Sequence, residues 1–147
     1  MIEQANSSQA KIINNLCARV KSKQEKDFIR NLYGEVTADD LSSVNHSHLL
    51  NAAASMMKTF ANHTPKSCKV NIFRASEESE VAVLEVLTDD VPFIIDSISN
   101  ELKSQSCDIH LIVHPTIGVE RDKKGNFVKF DQKAPKESII QYHVSNW

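Results

Sequence analysis

Glycine is scarce in this chain. Gly34, Gly118 and Gly125 are its only three among 147 residues, and they lie far apart. A phosphate-cradling loop or a dinucleotide fingerprint needs several glycines within a few positions, so both are excluded. Cysteine is scarce too. Cys17, Cys68 and Cys107 are odd in number and widely spaced, which fits reduced thiols in a cytoplasm better than a disulfide frame. None has a glycine-rich or oxyanion-type neighbourhood, and no Gly-x-Ser-x-Gly elbow occurs, so the sequence offers no nucleophile. Aromatic residues are few and scattered, which excludes a base-stacking platform. The net charge of -2 leaves no basic face for nucleic acid and no polybasic membrane patch. No apolar run approaches the roughly 20 residues of a membrane helix. The opening MIEQANSSQ lacks the charged and apolar regions of a secretory signal. The expectation is a soluble cytoplasmic protein of one-domain length, with neither nucleic acid nor membrane as partner.

Six histidines invite a metal reading, but their spacing does not support one. His110 and His114 fall on one face of an expected strand, four residues apart. At about 3.3 Å per residue that is roughly 13 Å, too far for two ligands of one zinc at about 2 Å each. His46 and His48 are two apart at a helix start and point to different sides. His63 and His143 stand alone, and no Cys-x-x-Cys or His-Glu-x-x-His pairing exists. No metal ligand is assigned.

The first 64 residues read as helices. Ser7 or Ser8 can cap a helix whose apolar positions are Ile12, Ile13, Leu16, Cys17 and Val20. Phe28, Ile29, Leu32 and Tyr33 mark a second helix that Gly34 ends. A short turn follows at Thr37 to Leu41, then a longer helix from about His46 to Ala61, broken by Asn62-His-Thr-Pro65. From Lys66 the period becomes two. Cys68, Val70 and Ile72 alternate with Lys69 and Asn71, as in a strand with one wet face. Val81 to Leu87 is apolar on both faces except at Glu85, which suits a central strand. A helix from Pro92 to about Ser104 turns Ile94, Ile95, Ile98 and Leu102 toward a sheet and leaves Ser99 and Asn100 in water. Ile109, Leu111 and Val113 share one face of the next strand. Ile117 to Arg121 continues it past Pro115, a hairpin turn at Asp122 to Asn126 leads back through Phe127, Val128 and Phe130, and Ser138 to Val144 forms the last strand.

Between the central strand and its helix lie Asp89, Asp90, Val91, Pro92 and Phe93, followed by Asp96 and Ser97. Two readings of this acidic cluster stay open. In one, acids near a helix N-terminus stabilise the helix dipole by about 0.3–1 kcal/mol and nothing more. In the other, amide N–H groups of the first turn receive a carboxylate while Asp90 receives an ammonium, making a seat for a small polar ligand.

The residues also carry a resemblance. Leu84 to Ser99 resembles the strand, Asp-x-Pro and helix opening of ACT domains, the small-molecule regulatory modules of amino-acid metabolism. Asp89-Asp-Val-Pro-Phe-Ile-Ile-Asp-Ser97, then Ile109-His-Leu-Ile-Val-His-Pro115, then Val119-Glu-Arg-Asp-Lys-Lys-Gly125, in that order, resemble the N-terminal region of the large bacterial NAD-specific glutamate dehydrogenases. Glu137 to Val144 is similar to that family's next strand. The resemblance implies an α+β fold: a helical segment over 1–64, then an ACT-like (ferredoxin-like) antiparallel sheet over 65–147, incomplete at its C-terminus, before a last helix and strand. It implies a non-catalytic regulatory or oligomerisation segment, either a fragment or a split-gene product. The chain alone would be no enzyme and hold no cofactor, with NAD belonging to the parent. Partners would be the remainder of the dehydrogenase or a second copy. The alternatives are a free-standing amino-acid sensor, with Asp90, Val91 and Phe93 at the seat of an amino-acid effector, and a vestigial gene remnant. Ligand-binding ACT domains usually carry glycine after the proline, where Phe93 stands here.

Overall fold

The computed structural model describes residues 2–147, with side chains from residue 7 onward. Four helices come first: α1 (Ile2–Ala18), α2 (Lys23–Tyr33), α3 (Ala38–Ser42) and α4 (His46–Phe60). Side chains cap three of them. Ser22 Oγ accepts from the Glu25 amide, Thr37 from the Asp40 amide and Asn45 from the Ser47 amide, each satisfying a donor the helix itself cannot. α1 does not begin at Ser7 or Ser8 as expected but runs through them from Ile2. Serine inside a helix costs only a few tenths of a kcal/mol against alanine, so a local cap signal is easily overridden.

Six strands follow: β1 (Cys68–Arg74), β2 (Ala82–Asp89), β3 (Asp108–Val113), β4 (Thr116–Arg121), β5 (Phe127–Phe130) and β6 (Lys136–Ser145), with α5 (Ile94–Ser104) between β2 and β3. They form one antiparallel sheet in the order β1-β2-β6-β4-β5, with β3 also beside β6. β3 pairs with the C-terminal half of β6 and β4 with its N-terminal half, so the two are one strand bent at Pro115. β2 and β3 are each antiparallel to β6, which lies between them. With α5 as the crossover, this is the split β-α-β unit of ferredoxin-like folds, and the expected α+β architecture is present. The edge beyond β2 is taken by β1, a strand that precedes it in the chain.

The two faces of the sheet are covered differently. α1 to α4 pack on one face, where Leu16, Phe28, Leu32, Leu41, Leu49, Met56 and Phe60 share a core with Leu87, Leu111, Val113, Val119 and Ile139. The helical segment and the sheet therefore bury each other. The opposite face carries α5 alone: Ile94, Ile95, Ile98 and Leu102 lie over Ala82, Val86, Ile140, Tyr142 and Val144. α5 does not reach the β1 edge. Val70 is 62% and Ile72 56% exposed, so the apolar side of β1, expected to be its dry face, stands in solvent.

Three other expectations are corrected. A β-bulge between Ile109 and Leu111 inserts one residue. Ile109 consequently faces α5 while Leu111 and Val113 face the helices, because one extra residue reverses the alternation. His110 therefore sits at the bulge with its Nε2 2.7 Å from Ser145 Oγ, and His114 lies beyond the end of β3. Ser99 is half-buried rather than free in water, its Oγ 2.6 Å from the Tyr142 hydroxyl. Finally, α5 begins at Ile94, not Pro92.

Candidate functional site

That late start has a local cause. Phe93 is left-handed, with φ 65° and ψ 3°, the third-position values of a type II turn with proline second. Glycine or asparagine normally supplies that conformation, since a Cβ costs roughly 1–2 kcal/mol there. The ring gains nothing visible in return, being 77% exposed. Phe93 thus adopts a backbone that glycine normally supplies, while its side chain stands in water. Val91 beside it is also exposed.

The acids of this segment divide. Asp89, at the end of β2, places Oδ1 3.0 Å from His63 Nε2 and accepts the Lys66 amide on Oδ2 at 2.7 Å. These bonds to His63 and Lys66 hold its carboxyl below the usual range. Asp90 is exposed and anchored only by its own amide, which donates to the Lys136 carbonyl. Asp96 lies in the first turn of α5, and the Ser97 amide closes that turn onto the Phe93 carbonyl; both side chains face solvent. The structure therefore ties Asp89 to the α4–β1 connection and leaves Asp90, Val91, Phe93, Asp96 and Ser97 on the surface around the mouth of α5. His114 lies beside Glu35 and Pro115, within reach of the Asp90 charge. Burial holds its imidazole below the ordinary value, against the opposing pull of the Asp90 and Glu35 carboxylates.

Asp89, His63 and Ser67 form an acid–imidazole–hydroxyl series, with Ser67 Oγ 3.3 Å from His63 Nδ1. It does not make a nucleophile. The hydroxyl donates to the Thr64 carbonyl at 2.6 Å, and the His63 ring is 2% exposed. An attacking serine needs its proton directed at the imidazole and its oxygen open to substrate.

Beneath the mouth of α5 the sheet carries three hydroxyl residues in a row. Thr88 on β2 pairs with Ser138 on β6, which pairs with Thr116 on β4. Ser138 is fully buried, and its Oγ has no hydrogen-bond partner among the described residues. Side chains at these positions alternate with Leu87 and Ile139, so they lie on the α5 side of the sheet.

Sequence reading did not find the firmest polar contact. Arg121 Nε and Nη2 donate to both oxygens of Glu137 at 2.7 and 2.9 Å. Its remaining donors reach the carbonyls of Gly125 and Phe60, and its guanidinium lies 4.6 Å from the centre of the Phe60 ring. The hairpin turn carrying Gly125 is docked against the α4–β1 connection: the His63 amide donates to the Gly125 carbonyl, and the Phe127 amide to that of Ala61. A Cβ at Gly125 would meet the His63 carbonyl oxygen at 2.6 Å, and its φ is +86°. The Arg-Asp-x-x-Gly signature thus fastens the helices to the sheet. The one signal for this in the sequence was the pairing of Arg121 with a glycine four residues on.

The family model for the glutamate dehydrogenase ACT1 domain matches residues 28–147. An NAD-specific glutamate dehydrogenase of Halomonas elongata is 24% identical over 151 aligned positions, covering 90% of this chain and 9% of that protein. The chain therefore spans less than a tenth of the length of the curated relative it matches. No solved structure matches it.

Proposed function

The chain belongs to the glutamate dehydrogenase ACT1 domain family, and from that membership we propose that it serves as a non-catalytic regulatory and assembly segment of an NAD-dependent glutamate dehydrogenase. One observation carries the reading. The motif residues that identify the family are spent on joining helices to sheet, as in Asp89 with His63 and Arg121 with Glu137, while apolar residues stand exposed elsewhere. Val70 and Ile72, together with the apolar cleft of Leu84, Ile98 and Leu102 beside α5, form the face offered to further polypeptide of the dehydrogenase. A second copy would cover that face in the isolated chain. NAD and the residues that handle glutamate belong, in this reading, to the rest of the parent.

The experiment is a mixing test. Purified chain is added to a dehydrogenase of this family lacking the corresponding residues, and association is followed by light scattering after size exclusion. Co-elution is the expected result. A chain that stays monomeric at high concentration and ignores the remainder of the enzyme would end the proposal, as would glutamate oxidation with NAD by the chain alone.

A second reading has its own support. Ser138 is buried without a partner, and Thr88 and Thr116 flank it below the first turn of α5. Such hydroxyls suit a small polar ligand, of which an amino acid with its carboxylate on the α5 amides is the chemically matched class. A ligand at 100 times its dissociation constant adds about 2.7 kcal/mol of stability. A melting screen over the amino acids that yields no shift would remove this reading and leave the first intact.

A further inference from the structure

Among the described residues, five buried side-chain polar atoms have no hydrogen-bond partner, and four of them belong to Glu85, Gln141 and His143. These residues lie on neighbouring positions of β2 and β6, on the face packed against α4. Glu85 and Gln141 are direct partners across the two strands, which brings their β-carbons to about 5 Å. Glu85 is completely buried. Its Oε1 accepts from Ser55 Oγ at 3.1 Å, Thr59 Oγ1 at 2.8 Å and Asn71 Nδ2 at 3.3 Å, while Oε2 accepts nothing. Gln141 donates its amide nitrogen to the Ala52 carbonyl at 2.9 Å. That contact fixes which end of the amide is oxygen, and Oε1 is left without a donor.

Two acceptor oxygens on partnered positions of one sheet face are therefore left without a donor among the described residues, and one is half of a carboxylate. The ion pairs among the described residues are His63–Asp89, Arg121–Glu137 and Lys129–Glu120; none involves Glu85. Charged groups removed from water are ordinarily paired with a counter-charge. Here three neutral donors satisfy one oxygen and the other has none, which leaves it open to a positive centre or a donor.

We propose that Glu85 Oε2 and Gln141 Oε1 are two ligands of an internal seat for a small monovalent cation of the sodium or potassium kind. Oxygen-only donors select a hard cation over a transition metal. A single carboxylate matches one positive charge, and no group of three or more His, Cys, Asp or Glu able to hold a metal occurs among the described residues, so a divalent ion is not matched. Small side chains border the place, with Ala52 and Ala75 buried nearby. A cleft of about 600 Å³ between α4 and β1 is lined by Asn51, Ser55, Lys58 and Phe73. Ser55 both lines that cleft and donates to Glu85, so one side chain separates the cleft from the carboxylate.

The test compares unfolding of the whole chain in potassium, sodium and choline chloride at equal ionic strength. Choline is too large for the seat. The expected result is a saturable rise of the midpoint with one alkali cation over choline, a hundredfold shift of the folding equilibrium at 100 times the dissociation constant. Glu85→Gln should abolish the dependence on cation. A crystal soaked in rubidium should show an anomalous peak between Glu85 and Gln141, and this decides the matter if the variant does not fold. Equal midpoints in all three salts, a cation effect unchanged in Glu85→Gln, or an ordinary water at the rubidium position would each overturn the proposal.

Discussion

Phe93 is held in a backbone conformation that its own Cβ disfavours, with its ring in water. Phe93→Gly should therefore raise stability by about 0.5–1 kcal/mol, the left-handed penalty less the entropy that glycine restores to the unfolded chain. Phe93→Ala keeps the Cβ and should gain nothing. Urea midpoints of the two variants make the comparison, and equal midpoints would show that the turn is unstrained. Asp89 gives a prediction of different kind. Its carboxyl titrates below the ordinary value because the ionised form is bonded to His63 and the Lys66 amide. As pH falls, the unfolded chain takes up its proton first. The contribution of Asp89 is therefore complete above the ordinary carboxyl value near 4 and is lost as pH drops through the lower folded value. Asp89→Asn should flatten that part of the acid limb. Unfolding midpoints between about pH 2 and pH 6 would show it, and superimposable slopes for the two proteins would contradict it. The sequence marked Phe93 as standing in a position usual for glycine, but not the partner of Asp89. His63 and Asp89 are 26 residues apart, and the composition of the acidic cluster was the same whether it held a ligand or a loop.

The elements themselves were more readable than their contacts, and for a physical reason. Apolar spacing along the chain records which side of a helix or strand is dry, so α2, α4, β2, β4 and β6 could be placed from Leu, Ile, Val and Phe positions alone. Where the record is interrupted the reading failed. The bulge at Ile109 adds one residue to β3, and a period-two pattern contains no mark for an extra residue. The position of β1 at the edge was equally hidden, because strand order depends on pairings between distant segments. The fastening of hairpin to helices was visible only as a motif, and its energetics belong to the pair that carries it. Arg121 and Glu137 are both more than nine-tenths buried and doubly bonded. Removing one partner should leave the other charged and unpaired, so Arg121→Met should cost about 3–5 kcal/mol. The double variant Arg121→Met with Glu137→Met should recover a large part of that loss, since neither charge then remains. A denaturation cycle over the four proteins reads the coupling directly, and additive single losses would show that the pair acts independently.

At the scale of the whole molecule the decisive feature is asymmetry. Four helices close one face of the sheet, while one helix half-closes the other. On the edge strand β1, Lys69 is turned toward the end of α4, its ammonium donating to the Thr59 and Asn62 carbonyls, while Arg74 stands exposed on the same side as Val70 and Ile72. Val70 and Ile72 project from the open face, and near α5 a cleft is lined by Leu84, Ile98 and Leu102 together with Ser97 and Glu101; exposed apolar surface of this kind drives association. The isolated chain should therefore show an average mass that rises with concentration. Val70→Lys together with Ile72→Lys should return it to one chain per particle. Because both side chains are more than half exposed, the change should move stability by no more than about 0.5 kcal/mol per site, which separates loss of association from loss of fold. Sedimentation equilibrium over a hundredfold concentration range, with thermal unfolding of the same samples, measures both quantities. A wild-type chain that stays monomeric throughout would mean that the half-covered face is stable in water as it stands, and the assembly role would then have to rest on Val91 and Phe93 at the mouth of α5.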